Sequence, residues 1–117
     1  MTKLVNLLAE TLEIMRDHGR QPEDVRWVGE SDGHVFVSWE TFAVEAGQIN
    51  YDDGFGTQEI SELLTVVGDD WWLERHEYDG SEWWEYKTLP RLHPPFGKTL
   101  RLWHRPWQKN QWQIGER

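Results

Sequence analysis

The residues best suited to chemistry lie in one stretch of the chain, 71–89, where indoles, carboxylates, a histidine and a lysine alternate. In a β-strand, neighbouring side chains point to opposite faces. Each of the two Trp-Trp pairs, Trp71-Trp72 and Trp83-Trp84, therefore places one indole on each side of a sheet. A turn of even length would bring seven residues together on one face as a candidate binding surface: Trp72, Glu74, His76, Tyr78, Trp83, Glu85 and Lys87.

This surface would suit several kinds of ligand. Exposed indoles can stack on bases or sugars, and beside Glu74 and Glu85 they could surround a cationic amine. Aromatic residues are also enriched in the binding hot spots of protein interfaces. We expect Glu74 to pair with Lys87 and His76 to pair with Glu85 in the middle of this face. The opposite face is more apolar and is predicted to be core, with Arg75 stacked on Tyr86 or Trp84.

Other chemistry has little support. The chain has no Cys, and none of its four Ser residues lies in a Gly-x-Ser-x-Gly motif. The five His residues are scattered, without a His-Glu-x-x-His motif, and the acidic loop at Asp52-Asp53-Gly54 does not match an EF-hand. We therefore predict no catalytic residues, no metal and no cofactor. A carboxylate-based enzyme site, such as a glycosidase-like dyad, stays as an alternative, but two nearby carboxylates are expected by chance in a chain with 21 acidic residues.

The charge distribution predicts the kind of partner. Residues 1–84 carry 5 basic and 19 acidic side chains, whereas residues 85–117 carry 7 basic and 2 acidic ones. An acidic body argues against duplex nucleic acid as the ligand, because phosphate binding needs a basic surface. It favours a protein partner with a basic surface. The apolar runs are too short to cross a membrane, and together with the absence of Cys they lead us to expect a cytoplasmic protein.

Three helices are predicted. Apolar residues from Leu4 to Met15 recur at helical spacing, which predicts an amphipathic helix over 3–18, capped by Thr2 and ended by Gly19. Two shorter helices are predicted over 39–46, where Ser38 is the N-cap and Gly47 the end, and over 58–64, where Thr57 is the N-cap.

The remaining segments are predicted to be β-rich. Residues 25–38 form a hairpin in which Trp27 faces Phe36, and residues 65–67 form a buried strand. The strands of the Trp-rich hairpin are 71–78 and 83–89. The region 90–117 is expected to be an irregular basic tail, because prolines prevent a regular helix across 90–106; an edge strand is predicted over 99–103.

Three segments resemble a group of small hypothetical proteins encoded by gut bacteria and their prophages. They are the block Gly68–Pro90 (Gly-Asp-Asp-Trp-Trp-Leu-Glu-Arg-His-Glu-Tyr-Asp-Gly-Ser-Glu-Trp-Trp-Glu-Tyr-Lys-Thr-Leu-Pro), the run Asp17–Val25 followed by Trp27–Gly29, and the run from Tyr51 to Ile60. That group has no assigned activity, so the resemblance implies no catalytic or binding residues. It implies a small accessory protein carried on a mobile element.

Together these observations predict one α+β domain over residues 1–117. Its sheet is mostly antiparallel and built from two hairpins, with the N-terminal helix packed on one face. The predicted function is non-enzymatic protein binding. In the context that the resemblance implies, the protein would inhibit a host nucleic-acid-handling protein, as an anti-CRISPR-like counter-defence factor. The alternatives are small-ligand binding on the aromatic face and a carboxylate-based enzyme.

Overall fold

A five-stranded antiparallel sheet forms the centre of the computed structural model, which describes residues 4–54, 56–94, 99–100, 102 and 114–115. The strand order across this sheet is β3-β2-β5-β6-β7. In chain order, the elements are β1 (Val5–Asn6), α1 (Leu7–Asp17), a 3-10 turn (Pro22–Asp24), β2 (Trp27–Glu30), β3 (Phe36–Val37), α2 (Trp39–Ala46), β4 (Asn50–Tyr51), β5 (Leu64–Val67), β6 (Trp71–Tyr78), β7 (Ser81–Thr88), β8 (Thr99–Leu100) and β9 (Ile114–Gly115). The predicted α+β class and the mostly antiparallel sheet are confirmed.

The core lies between the two helices and one face of the sheet, here called the inner face. One row of side chains crosses all five strands on this face: Val37, Val28, Val66, Leu73 and Tyr86. Val28, Val66 and Leu73 are buried at its centre. The opposite side of the sheet, the outer face, carries the row Trp27, Val67, Trp72 and Lys87. The predicted strand 65–67 thus proves to be the middle strand of the sheet.

Helix α1 begins at Leu7, so the prediction of a helix over 3–18 is wrong at its start. Its N-cap is Asn6, whose side chain accepts a hydrogen bond from the Ala9 amide at 3.0 Å; the predicted cap, Thr2, lies outside the described residues. The preceding residues are held extended because β1 pairs with β4. Leu7 and Met15 of the predicted apolar stripe are buried together with Thr11, whereas Leu8 and Leu12 of that stripe are half-buried.

The prediction for α2 is confirmed, with Ser38 accepting from the Thr41 amide at 3.2 Å. The predicted helix over 58–64 is wrong, because this segment is a loop that leads into β5. Its amides are satisfied by a distant side chain instead of by helical carbonyls. The Glu82 carboxylate accepts hydrogen bonds from the Glu59 and Ile60 amides at 2.6 and 3.1 Å.

The β6–β7 hairpin has the predicted parity but a tighter turn. Asp79 and Gly80 alone form the loop, and both have positive φ, 51° and 87°. This is the requirement of a type I′ turn, which Asp-Gly satisfies well. Strand β7 therefore starts at Ser81 and not at residue 83, which moves Glu82 from the predicted turn onto the inner face.

The first hairpin differs in register from the prediction. Phe36 lies opposite Gly29, and its ring meets Trp27 edge-on along the diagonal, with centroids 6.3 Å apart. A Cβ on Gly29 would lie 2.1 Å from the Val35 carbonyl oxygen, so the two backbones approach too closely for any other residue.

Gly29→Ala should therefore push β3 away from β2 and lower the free energy of unfolding by about 1–3 kcal/mol, the usual cost of overpacking. The matched control is Gly54→Ala, where a Cβ would meet no atom within 4 Å. Urea denaturation of both variants measures the difference. Equal stability of the two variants would contradict the close approach of β2 and β3.

Candidate functional site

The outer face of the β6–β7 hairpin carries two indoles tied to carboxylates. Trp72 Nε1 donates to Glu74 Oε1 at 2.6 Å, and Trp83 Nε1 donates to Glu85 Oε2 at 3.1 Å. Each bond joins residues two apart on one strand, which is the same-face spacing of a strand. With its N–H satisfied, each half-buried indole leaves only apolar ring surface to be covered by a ligand.

The two strands repeat this arrangement about a local two-fold axis, because Glu74 lies directly opposite Glu85. The halves are Trp72, Glu74 and His76 on β6, and Trp83, Glu85 and Lys87 on β7. Two carboxylates facing each other across a strand pair would repel. His76 lies between them, with Nε2 at 2.6 Å from Glu74 and 3.6 Å from Glu85.

Six of the seven predicted residues form this cluster. The expected His76–Glu85 contact is present, although Glu74 is closer to the ring. The expected pair of Glu74 with Lys87 is wrong: Lys87 Nζ lies 3.3 Å from Glu85 on its own strand. Tyr78 stands apart beside the turn, 76% exposed.

The indole hydrogen bonds also favour the ionised form of both carboxylates. Donation by Trp72 lowers the pKa of Glu74 below its ordinary value of 4.5, and donation by Trp83 lowers the pKa of Glu85. Hydrogen bonds from His76 to the first and from Lys87 to the second act in the same direction. Both side chains are therefore carboxylates at neutral pH.

These lowered pKa values predict a pH-dependent contribution to stability. A depressed carboxylate pKa stabilises the fold above the unfolded value of about 4.5, and this stabilisation is lost as the pH falls through the folded value. The stability difference between the wild type and a Glu74→Gln/Glu85→Gln variant should shrink as the pH is lowered from 7 to 3. Urea denaturation across this range measures it; a difference that is constant with pH would contradict the assignment.

Comparison with the variant matters because Glu10 acts in the opposite direction. Burial raises the pKa of Glu10 above 4.5. A raised pKa stabilises the fold at pH values below the pKa of the unfolded state. This stabilisation is lost as the pH rises through the pKa of the folded state. Since Glu10 is present in both proteins, its contribution cancels in the difference.

A pocket at the edge of β7 lies between the outer face of the β6–β7 hairpin and helix α1. It has a volume of about 210 Å³ and is lined by Glu10, Glu13, Ile14, Asp17, Trp83 and Trp84. Three carboxylates and two indoles favour a basic side chain as its occupant, since both ion pairing and cation–π contact would hold it. We name it the edge pocket.

A second cavity, the aromatic cleft, opens on the outer face between β2 and β6. Its volume is about 250 Å³, and its lining residues are Trp27, Ser31, Thr65, Val67, Trp72 and Glu74. Trp72 and Glu74 belong to the predicted binding surface, whereas Trp27 does not. Trp27 in β2 shares a face with Trp72 in β6 only because β5 lies between the two strands, and the sequence around Trp27 carries no local signal of that order.

The inner face holds a buried ionic network, of which the sequence predicts only the stacking of Arg75 on an aromatic ring. Arg75 stacks over Trp84, as predicted, with its guanidinium carbon 4.8 Å from the ring centroid. Its Nη2 donates to Tyr51 Oη at 2.9 Å and to Glu82 Oε1 at 3.0 Å, and neither the Arg75 nor the Glu82 side chain is exposed. The alternative partner, Tyr86, stacks instead on His18.

Glu10 completes this network from α1. It lies 3.3 Å from Arg75 Nη1 and accepts a hydrogen bond from Tyr51 Oη at 2.5 Å. Burial, and then this bond, raise the pKa of Tyr51 well above its ordinary value, which keeps the phenol protonated as a donor. The network fixes α1, β4 and the hairpin to one another, and it also shapes one wall of the edge pocket through Glu10 and Trp84.

No three His, Asp or Glu side chains within the described part of the chain lie close enough together to hold a metal ion. None of the helices among the described residues has the length and apolar character needed to cross a membrane. Comparisons of the chain with protein-family models, with curated proteins and with solved structures find no match.

Proposed function

We propose that the protein is a non-enzymatic binding module that takes a basic segment of a partner protein on the outer face of its Trp-rich hairpin. The observation that carries this proposal is the orientation of the Trp pairs. Trp71 and Trp84 are buried in the core, whereas Trp72 and Trp83 are half-buried on the opposite face. Large aromatic rings that are accessible and fixed in place are typical of interface hot spots.

The charge around these indoles supports a basic partner. Glu74 and Glu85 lie between the two rings, and the edge pocket adds Glu10, Glu13 and Asp17 beside Trp83. The wider body, residues 1–84, carries 14 more acidic than basic side chains. Such a field steers a basic surface toward the indoles and speeds association.

The resemblance to small prophage-encoded proteins supports a more specific proposal. Proteins that handle nucleic acids carry basic surfaces for phosphate. An acidic module with aromatic anchors could occupy such a surface and block it. On a mobile element, this action would suit an inhibitor of a host nucleic-acid-handling protein, in the manner of an anti-CRISPR factor.

The test is capture of partners from bacterial lysate on the immobilised protein, followed by binding measurements with the protein that co-purifies. We expect Trp83→Ala to weaken binding by tenfold or more, as for a hot-spot residue. Tyr78→Ala is the control, because Tyr78 lies on the same face but apart from the cluster. Raising the salt concentration should weaken binding steeply. Binding that is insensitive both to Trp83→Ala and to salt would refute the proposal.

A further inference from the structure

The aromatic cleft has the composition of a site for a planar cation. Trp27, Val67 and Trp72 lie in one row across β2, β5 and β6, so the two indoles stand on either side of Val67. Two strand spacings separate their Cα atoms by about 9.5 Å. A flat group in van der Waals contact with both walls needs about 7–8 Å. The spacing of the strands therefore leaves room for one planar group in the cavity of about 250 Å³ that both indoles line.

Polar groups lie in the next row of the cleft. Glu74 is opposite Thr65 in the register, and Ser31 also lines the cavity. The Glu74 carboxylate is about one-third exposed and already accepts from Trp72 and His76, one bond on each oxygen. Each carboxylate oxygen has two lone pairs, so both can accept a further donor. Lys87, which lies opposite Trp72 on β7, pairs with Glu85 and so lies on the far side of Trp72 from the cleft.

From this geometry we infer that the aromatic cleft binds the guanidinium of an arginine side chain, stacked between Trp27 and Trp72 and hydrogen-bonded to Glu74. Arginine fits better than lysine because its planar guanidinium stacks on aromatic faces and donates two parallel hydrogen bonds to a carboxylate. A neutral planar group would gain the stacking but not the charge interaction. The inference rests on the proposed function, because it assigns one residue type to the basic segment of the partner.

The experiment uses amino-acid derivatives and not the partner. Nα-acetylargininamide is titrated into the full chain while the indole N–H signals are followed by NMR. Nα-acetylcitrullinamide is the matched ligand control, because it has nearly the same shape and no charge. We expect saturable shifts at Trp27 and Trp72 with arginine, and affinity at least about fivefold weaker with citrulline, the size of one cation–π contact.

Three protein variants complete the test. Trp27→Ala and Glu74→Gln should each weaken arginine binding, whereas Val44→Ala, at an exposed position of α2 outside the cleft, should leave it unchanged. The use of both Trp27→Ala and Glu74→Gln guards against a variant that does not fold. Equal affinity for arginine and citrulline, or shifts that do not saturate, would overturn the inference. If partner binding still depends on Trp83 in that case, the proposed function stands and only the assignment of arginine to the cleft fails.

Discussion

Replacing Glu82 with alanine should lower the free energy of unfolding by about 3–5 kcal/mol, the usual cost of breaking a buried ion pair. The Glu82 side chain has no exposed surface, and its carboxylate pairs with Arg75 at 3.0 Å. It also accepts the amides of Glu59 and Ile60. The change would leave a buried guanidinium under-compensated and two loop amides without an acceptor. Urea denaturation at pH 7 measures the loss.

Glu77→Ala is the matched control for this prediction. Glu77 lies directly opposite Glu82 in the hairpin but is exposed, so its loss should cost no more than about 1 kcal/mol.

A double-mutant cycle of Glu82→Gln with Arg75→Met should show a coupling of about 1–3 kcal/mol, as expected of residues in one network. Additive effects of the two changes would show that the pair does not act as a unit.

Trp84→Ala is expected to destabilise the protein by about 3–5 kcal/mol, whereas Trp83→Ala, one residue away, should cost roughly 1 kcal/mol. Trp84 is buried in the core, its Nε1 donates to Thr11 Oγ1 at 2.9 Å, and Arg75 stacks on its ring. Trp83 is half-buried on the outer face. The two neighbours therefore have the same chemistry and opposite environments.

Thermal and urea denaturation of the two variants measure this difference. Trp84→Phe separates the stacking on Arg75 from the hydrogen bond to Thr11. Phenylalanine keeps a stacking surface for Arg75 but leaves the buried Thr11 hydroxyl without its indole donor. We expect it to lie between the wild type and Trp84→Ala. Similar losses of stability for Trp83→Ala and Trp84→Ala would contradict the assignment of faces.

Strand parity made much of this hairpin predictable from sequence. Consecutive indoles in a strand must diverge, and Asp79-Gly80 satisfies a type I′ turn. From these two facts follow the burial of Trp71 and Trp84, the stacking of Arg75, and the cluster around Glu74 and Glu85. The α+β class followed from the hairpin patterns and the amphipathic N-terminal segment.

The errors have a common physical cause, which is long-range pairing that leaves no local signal. Glu82 resembles a turn residue in sequence, but it is the buried acceptor for a loop more than twenty residues earlier. That bonding replaces the predicted helix over 58–64. Pairing of β1 with β4 likewise delays the start of α1 to Leu7. Trp27 was missed at the cleft because the position of β5 between β2 and β6 depends on the whole sheet.

The solvent exposure of the four paired indoles can be measured by fluorine NMR on protein labelled with 5-fluorotryptophan, with single Trp→Phe variants for assignment. The solvent isotope shift between H₂O and D₂O reports the contact of each ring with water. We predict a clear shift for Trp72 and Trp83 and little or none for Trp71 and Trp84. Equal shifts within each neighbouring pair would contradict it, and the proposed binding surface would then have no basis.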